Sequence, residues 1–225
     1  MSMTAINALK ALYSCYDALT DHFSIACRPG CATCCSVNVT ITSLESAYLN
    51  NHALLSEAKL TADIAAAQQR PHFIPTLTTN GLARYCLQQQ DPPEEKGMHA
   101  RGCCPLLGDD GLCRIYANRP FACRAMVSTR RCRQGGEAMM PPFLFTINLA
   151  FYQLIEHLDQ AGISGNMLDM LMEDNNNTLS NCALPGFPVA AEQQKPFNRV
   201  LEKIKTWPVN EGCLGDFFPH RIFPH

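Results

Sequence analysis

Cys27-Arg28-Pro29-Gly30-Cys31-Ala32-Thr33-Cys34-Cys35 sets four thiols within nine residues. A loop so dense in sulfur coordinates a soft metal ion or cluster, forms disulfides, or carries redox chemistry. Pro29 fixes φ and Gly30 permits positive φ, so the segment reads as a loop that can turn several sulfurs to one side. Compartment decides among the three chemistries. Met1 to Phe23 is interrupted by Lys10, Asp17 and Asp21, and its apolar residues recur at helical spacing, unlike a secretory leader. No run approaches the roughly 18 apolar residues of a membrane span. A formal net charge of -2 argues against a general binder of nucleic acid or anionic membranes. The expected location is therefore cytoplasmic and reducing, where structural disulfides are rare. Thirteen cysteines, an odd number, cannot all pair internally. Metal or cluster binding leads.

The chain around this loop reads as mainly α. Ile6, Leu9, Tyr13, Tyr16, Leu19 and Phe23 recur every three or four residues and predict an amphipathic helix over Thr4–Phe23, with Cys15 in the core. Val37 to Ile41 alternates like a very short strand. Thr42 or Ser43 then caps a helix to about His52, with Glu45 in the first turn, where the dipole favours an acid. Further helices are expected over Leu54–Gln69, Asn80–Gln89, Phe143–Leu158, Ser164–Glu173 and Phe197–Lys205. The Phe-Pro-His repeats at 218–220 and 223–225 suggest a loose tail. No strand–helix alternation is visible. Residues 1–225 are expected to form one small, irregular helical domain in which two Cys-rich loops build a metal or cluster site. Its cysteine-cluster core would span 20–135 and a helical C-terminal extension 136–225.

Nine of the thirteen cysteines fall in two windows: Cys27, Cys31, Cys34 and Cys35, then Cys103, Cys104, Cys113, Cys123 and Cys132. Two short loops joined by folding are a common way to complete a metal shell. Cys15, Cys86, Cys182 and Cys213 stand alone and read as ordinary buried thiols. Seven arginines (Arg101, Arg114, Arg119, Arg124, Arg130, Arg131 and Arg133) crowd the second window. They could form a cationic shell around thiolates. Arg130, Arg131 and Arg133 read more simply as solvated, and Arg119 and Arg124 as donors to nearby carbonyls or carboxylates. His22 and His99 flank the two windows and read as surface residues.

The two windows carry a resemblance. Cys27-x3-Cys31-x2-Cys34-Cys35 is followed by Cys104-Pro105-Leu106-Leu107, and then by Cys113-Arg114-Ile115-Tyr116-Ala117-Asn118-Arg119-Pro120-Phe121-Ala122-Cys123-Arg124. This order resembles the YkgJ-type cysteine-cluster family of zinc- or iron-chelating domains, with its CxxCxxCC, CPxL and CxIYxxRPxxCR segments. The first gap here holds three residues where the family has two. The resemblance implies metal ligands at Cys27, Cys31, Cys34, Cys35, Cys104, Cys113 and Cys123, with Cys132 as an eighth; Cys103 has no counterpart. All-thiolate ligands suit tetrahedral zinc or a [4Fe–4S] cluster, in one site or two. The irregular loops lean toward iron–sulfur.

Competing functions stay in view. The spacing Cys27-x3-Cys31-x2-Cys34 and the run Gly135-Gly136-Glu137 match radical S-adenosylmethionine enzymes superficially, but the β/α barrel of about 200 residues or more that such enzymes need is absent from the pattern. Flagellin lysine N-methylases resemble this family in carrying the module, which implies a protein-lysine methyltransferase as one alternative, with a protein substrate. Thiol redox or metal delivery to an acceptor protein is another. No residue pattern decides whether the chain is an enzyme. The expected partner is the metal ion or cluster, with no nucleic acid and no membrane.

Overall fold

The computed structural model describes residues 3–95, 100–132 and 137–224; His99, Arg133, Gly135, Gly136 and His225 lie outside them. The elements follow in chain order. Helix α1 (Met3–Thr20) leads into the first cysteine loop, after which β1 (Thr40–Thr42) runs directly into α2 (Ser43–Asn50). Then come α3 (Ala58–Gln68) and α4 (Thr79–Leu87), a long irregular stretch that includes the second cysteine window, and the short α5 (Phe121–Ala125). The chain ends with α6 (Pro142–Leu158), β2 (Ile163–Asn166), α7 (Met167–Leu171), β3 (Leu179–Ser180) and α8 (Gln194–Lys205). The fold is mainly helical, as expected, with a small sheet that was not.

That sheet is antiparallel in the order β1-β2-β3, with Ile41 opposite Gly165 and Ser164 opposite Leu179. It corrects the helix expected over Ser164–Glu173. The first part of that segment pairs as strand, and the helix starts only at Met167. Asn166 makes the switch: its side chain accepts from the Leu168 N–H and donates to the carbonyls of Val37 and Phe73. An N-cap anchored to two distant carbonyls sets a helix start that local propensity does not show.

The helix expected from Leu54 is also shorter. Ala53–Ser56 forms a 3₁₀ turn, Glu57 is extended, and α3 begins after it. In one continuous helix Leu54 would sit roughly 240° round from Leu60. The break lets Leu54 and Leu55 pack against the same cluster as Leu60, Ile64 and Ala67. The tail is not loose where it is described: Phe218 and Phe223 are buried.

Two apolar clusters flank the cysteine loops. The larger joins Leu9, Leu12 and Tyr16 of α1, Phe121 of α5, Phe151 and Leu154 of α6, and Phe197 and Leu201 of α8. Phe121 stacks on Phe151 at 5.8 Å and meets Tyr16 and Tyr152 edge-on at 4.9 and 4.7 Å. The smaller joins Val37, Ile41, Leu49, Leu60, Leu106, Ile115, Met167 and Leu168, with Cys104 and Cys113 packed against it. Each cysteine segment is therefore pinned by an apolar neighbour in its own motif: Leu106 follows Cys104, Ile115 follows Cys113 and Phe121 precedes Cys123. Burying such side chains, at about 1.5–3 kcal/mol each, holds irregular backbone that has few ladder hydrogen bonds of its own.

Among the described residues no helix is long and apolar enough to cross a membrane.

Candidate metal centre

Backbone hydrogen bonds draw the two cysteine windows together. The Val37 N–H donates to the Gly102 carbonyl (3.1 Å) and the Cys104 N–H to the Cys35 carbonyl (3.3 Å), with Ser36 bridged to Cys103. On the other side the Ala26 N–H donates to the Ser128 carbonyl at 2.8 Å, which lays Cys27 beside the segment leading to Cys132. A tight loop closes between Leu107 and Cys113, with the Arg114 N–H on the Leu106 carbonyl at 2.9 Å. Gly30, at φ 89°, takes the left-handed backbone that the first loop requires.

Between the windows lies a cavity of about 290 Å³. Cys27, Cys31, Cys34, Cys35, Cys104, Cys113 and Cys123 line it, together with Arg119, Tyr116 and Tyr152. Cys132 is not in the wall, though it lies close enough to Cys27 to act on its charge. Cys103 is exposed and outside the cavity, as are Cys86 and His22. Cys15 is fully buried in the larger core, as expected. All thirteen cysteines are free thiols.

The cavity sulfurs fall into two neighbourhoods. Cys35 feels the charges of Cys104, Cys123 and Cys113, whereas Cys27 feels those of Cys31, Cys34 and Cys132. Cys34 acts on Cys123 as well as on Cys27, so it stands between the two groups, next to Cys35. A hydrogen bond between the adjacent Cys34 and Cys35 side chains pushes the Cys34 pKa up and pulls the Cys35 pKa down. Burial pushes the Cys104 thiol up to about 11 and Cys123 higher still, with like charge from neighbouring thiols adding to both.

The donor set fits a thiophilic metal. Main-chain N–H groups of Leu106 and Leu107 point at the Cys104 sulfur, and that of Ser128 at the Cys27 sulfur. Such bonds favour the thiolate over the thiol. Arg119 brings a positive charge that also favours ionisation of Cys34. Among the described residues no group of three or more His, Cys, Asp or Glu side chains is already placed to hold a metal ion. The thiols line a wall and would turn inward to coordinate, a coupling of binding to local folding common for thiolate sites.

The two motif arginines behave differently. Arg124 does what was expected, donating from Nε to the Arg119 carbonyl (3.0 Å), from one terminal nitrogen to the Ala117 carbonyl (2.6 Å) and from the other to Asp17 (2.9 Å). Arg119 does not: its guanidinium stacks over the Tyr116 ring, 4.0 Å from the centroid, and its buried Nε–H has no partner among the described residues. Arg130 and Arg131 are exposed, as expected.

Glu45, read from sequence as a first-turn acid, has a larger role. It completes a capping box with Thr42, and it accepts the Tyr13 hydroxyl (2.7 Å) and the Phe121 N–H (2.8 Å). A single buried carboxylate thereby ties α1 and α2 to the start of α5, the helix that carries Cys123. Burial pushes its pKa up, against the hydrogen bonds from Phe121, Tyr13 and Thr42. The Thr42-x-x-Glu45 spacing signalled the cap. Nothing local signalled the Tyr13 and Phe121 donors.

Compared with protein-family models, residues 26–139 match the family CxxCxxCC, described as a "putative zinc- or iron-chelating domain". No curated protein and no solved structure matches the chain.

Proposed function

The chain belongs to the CxxCxxCC family of zinc- or iron-chelating domains, and on that premise we propose that its cavity thiols hold an iron–sulfur cluster. The carrying observation is that seven motif cysteines line one cavity of about 290 Å³. One tetrahedral zinc uses four thiolates, so seven thiols on one wall suit a polynuclear centre better. In this reading Cys35, Cys104, Cys113 and Cys123 are the primary ligand set. They lie on the better-buried side, and apolar cores pin their segments. Cys27, Cys31, Cys34 and Cys132 form a second set nearer the surface, which could take a second metal. A bound cluster would supply one-electron chemistry. The chain's own residues would supply the thiolates, the N–H groups that stabilise them and the dry walls around them.

Anaerobic purification followed by visible spectroscopy and analysis for iron, sulfide and zinc tests this directly. Brown protein with about four irons and four sulfides per chain supports the [4Fe–4S] form. Colourless protein with stoichiometric zinc defeats the cluster reading, and metal-free protein with oxidised thiols defeats both.

A second reading, delivery of the metal to an acceptor protein, is favoured by the exposure of Cys31 and Cys34. Accessible thiols can hand over an ion by ligand exchange. Transfer to a metal-free acceptor faster than release to a chelator would support it, and equal rates would remove it.

A further inference from the structure

Arg119 Nε is the only buried side-chain nitrogen or oxygen among the described residues that lacks a hydrogen-bond partner. A donor on a charged group, shut off from solvent and left unpaired, is costly and uncommon. It marks a position where an acceptor belongs. The side chain is held in place around that atom: the guanidinium lies 4.0 Å from the Tyr116 ring centroid, the Arg119 carbonyl accepts from Arg124 Nε at 3.0 Å, and Pro120 follows. No carboxylate answers its charge, since the ion pairs among the described residues are Arg124 with Asp17 and His72 with Asp169. The wall that Arg119 shares carries seven thiols and no Asp or Glu. Neutral oxygens of Ser36, Asn38 and Thr40 also line it, but the anionic acceptors that this wall can offer a guanidinium are thiolates, and Arg119 already acts on the charge of Cys34.

We infer that Arg119 is a positioning residue of the metal centre, its Nε–H donating to a metal-bound sulfur in the cavity, either a cysteine thiolate or a bridging sulfide of a cluster. The inference rests on the metal-centre reading above. Four thiolates around a 2+ ion or a 2+ cluster carry a formal charge of -2, and one guanidinium brings that to -1. Hydrogen bonds to the sulfurs tune both metal affinity and reduction potential. Tyr116 acts one step further out by fixing the plane of the guanidinium.

The test loads the protein with Co²⁺ and follows thiolate-to-cobalt charge-transfer absorption under competition from a chelator. Wild type is compared with Arg119→Met, Arg119→Lys and Tyr116→Leu. The Met and Lys variants are expected to lose cobalt about tenfold more readily. Their charge-transfer bands should move to lower energy, because an unbonded thiolate is the better electron donor. Tyr116→Leu, which keeps the arginine, should shift both readouts in the same direction by less, and it keeps the inference testable if Arg119→Met fails to fold. Wild-type affinity and an unmoved band in Arg119→Met would overturn the inference. Full rescue by Arg119→Lys would overturn it too, because charge without the Nε–H would then suffice. Wild type that holds no cobalt would sink the metal-centre reading itself, whereas loaded wild type with indistinguishable variants would sink this inference alone.

Discussion

Glu45→Ala removes the acceptor on which three elements converge. The carboxylate takes the Tyr13 hydroxyl, the Phe121 N–H and the Thr42 N–H at 2.7, 2.8 and 3.0 Å, and the residue is only 4% exposed. Alanine leaves these three donors buried without a partner, at about 1–3 kcal/mol each. Relief of a buried carboxylate opposes that loss. Taking the low end for each donor gives a net cost of about 3 kcal/mol, which in a chain of this size lowers Tm by roughly 6–12 °C. Glu45→Gln should cost less, about 1–2 kcal/mol. Its amide oxygen can still serve Tyr13 and Phe121, while its NH₂ group faces the Thr42 N–H. Urea titration of the metal-free protein followed by circular dichroism reads both values as a fall in midpoint at unchanged slope. The alanine variant should also release metal faster, because the Phe121 N–H starts the helix that carries Cys123. A Glu45→Ala protein within about 0.5 kcal/mol of wild type, the range of a neutral surface change, would refute this account of how the second cysteine window is held.

Cys123→Ser and Cys104→Ser should abolish stoichiometric metal in elemental analysis, whereas Cys15→Ser and Cys103→Ser should retain it; the reverse pattern would move the centre elsewhere. Metal retention should weaken as pH falls from 8 to 6, because ligands such as Cys104, pushed up to about 11 by burial, must release protons to bind. A chelator titration flat over that range would argue against thiolate ligands. Metal-free stability should run the other way. Burial pushes Glu45, Glu156 and Asp159 up, so the folded chain binds more protons than the unfolded one. Their contribution is full below the ordinary carboxylate pKa and is lost as pH rises through the raised values, which urea midpoints measured at successive pH values above 4 will check. Gly30→Ala should cost about 1–2 kcal/mol, since φ 89° is a backbone that L side chains rarely adopt. The same urea titration reads it, and a neutral result would mean the first loop can relax.

Local patterns carried part of the fold. The stripe from Ile6 to Tyr16 became α1, the Thr42-x-x-Glu45 box became the start of α2, and the apolar face from Leu144 to Leu158 became α6. These signals are legible because periodicity and caps act within one or two turns. The strand at Ile163–Asn166 was not legible. Its longer pairing is with β1, more than 120 residues away, and its terminal Asn166 is set by the carbonyls of Val37 and Phe73. The buried tail was missed for a related reason, because Phe218 and Phe223 look exposed until the larger core, drawn from distant helices, supplies the surface that covers them.

By itself the sequence determined the chemistry on offer: soft sulfur ligands in two windows, motif spacing, and helices between them, all of them properties of residue type and short-range order. Tertiary structure alone decided how those groups meet. It brought seven of the eight expected cysteines to one cavity wall and left Cys132 outside it. It set Cys34 between the two groups of sulfurs, and it left Arg119 in the cavity wall with a buried, unpaired donor while Arg124, five residues on, was fully engaged. Each of these outcomes depends on contacts across tens of residues, such as the 76-residue span between Phe121 and Glu45. Only packing against a shared core fixes contacts of that kind.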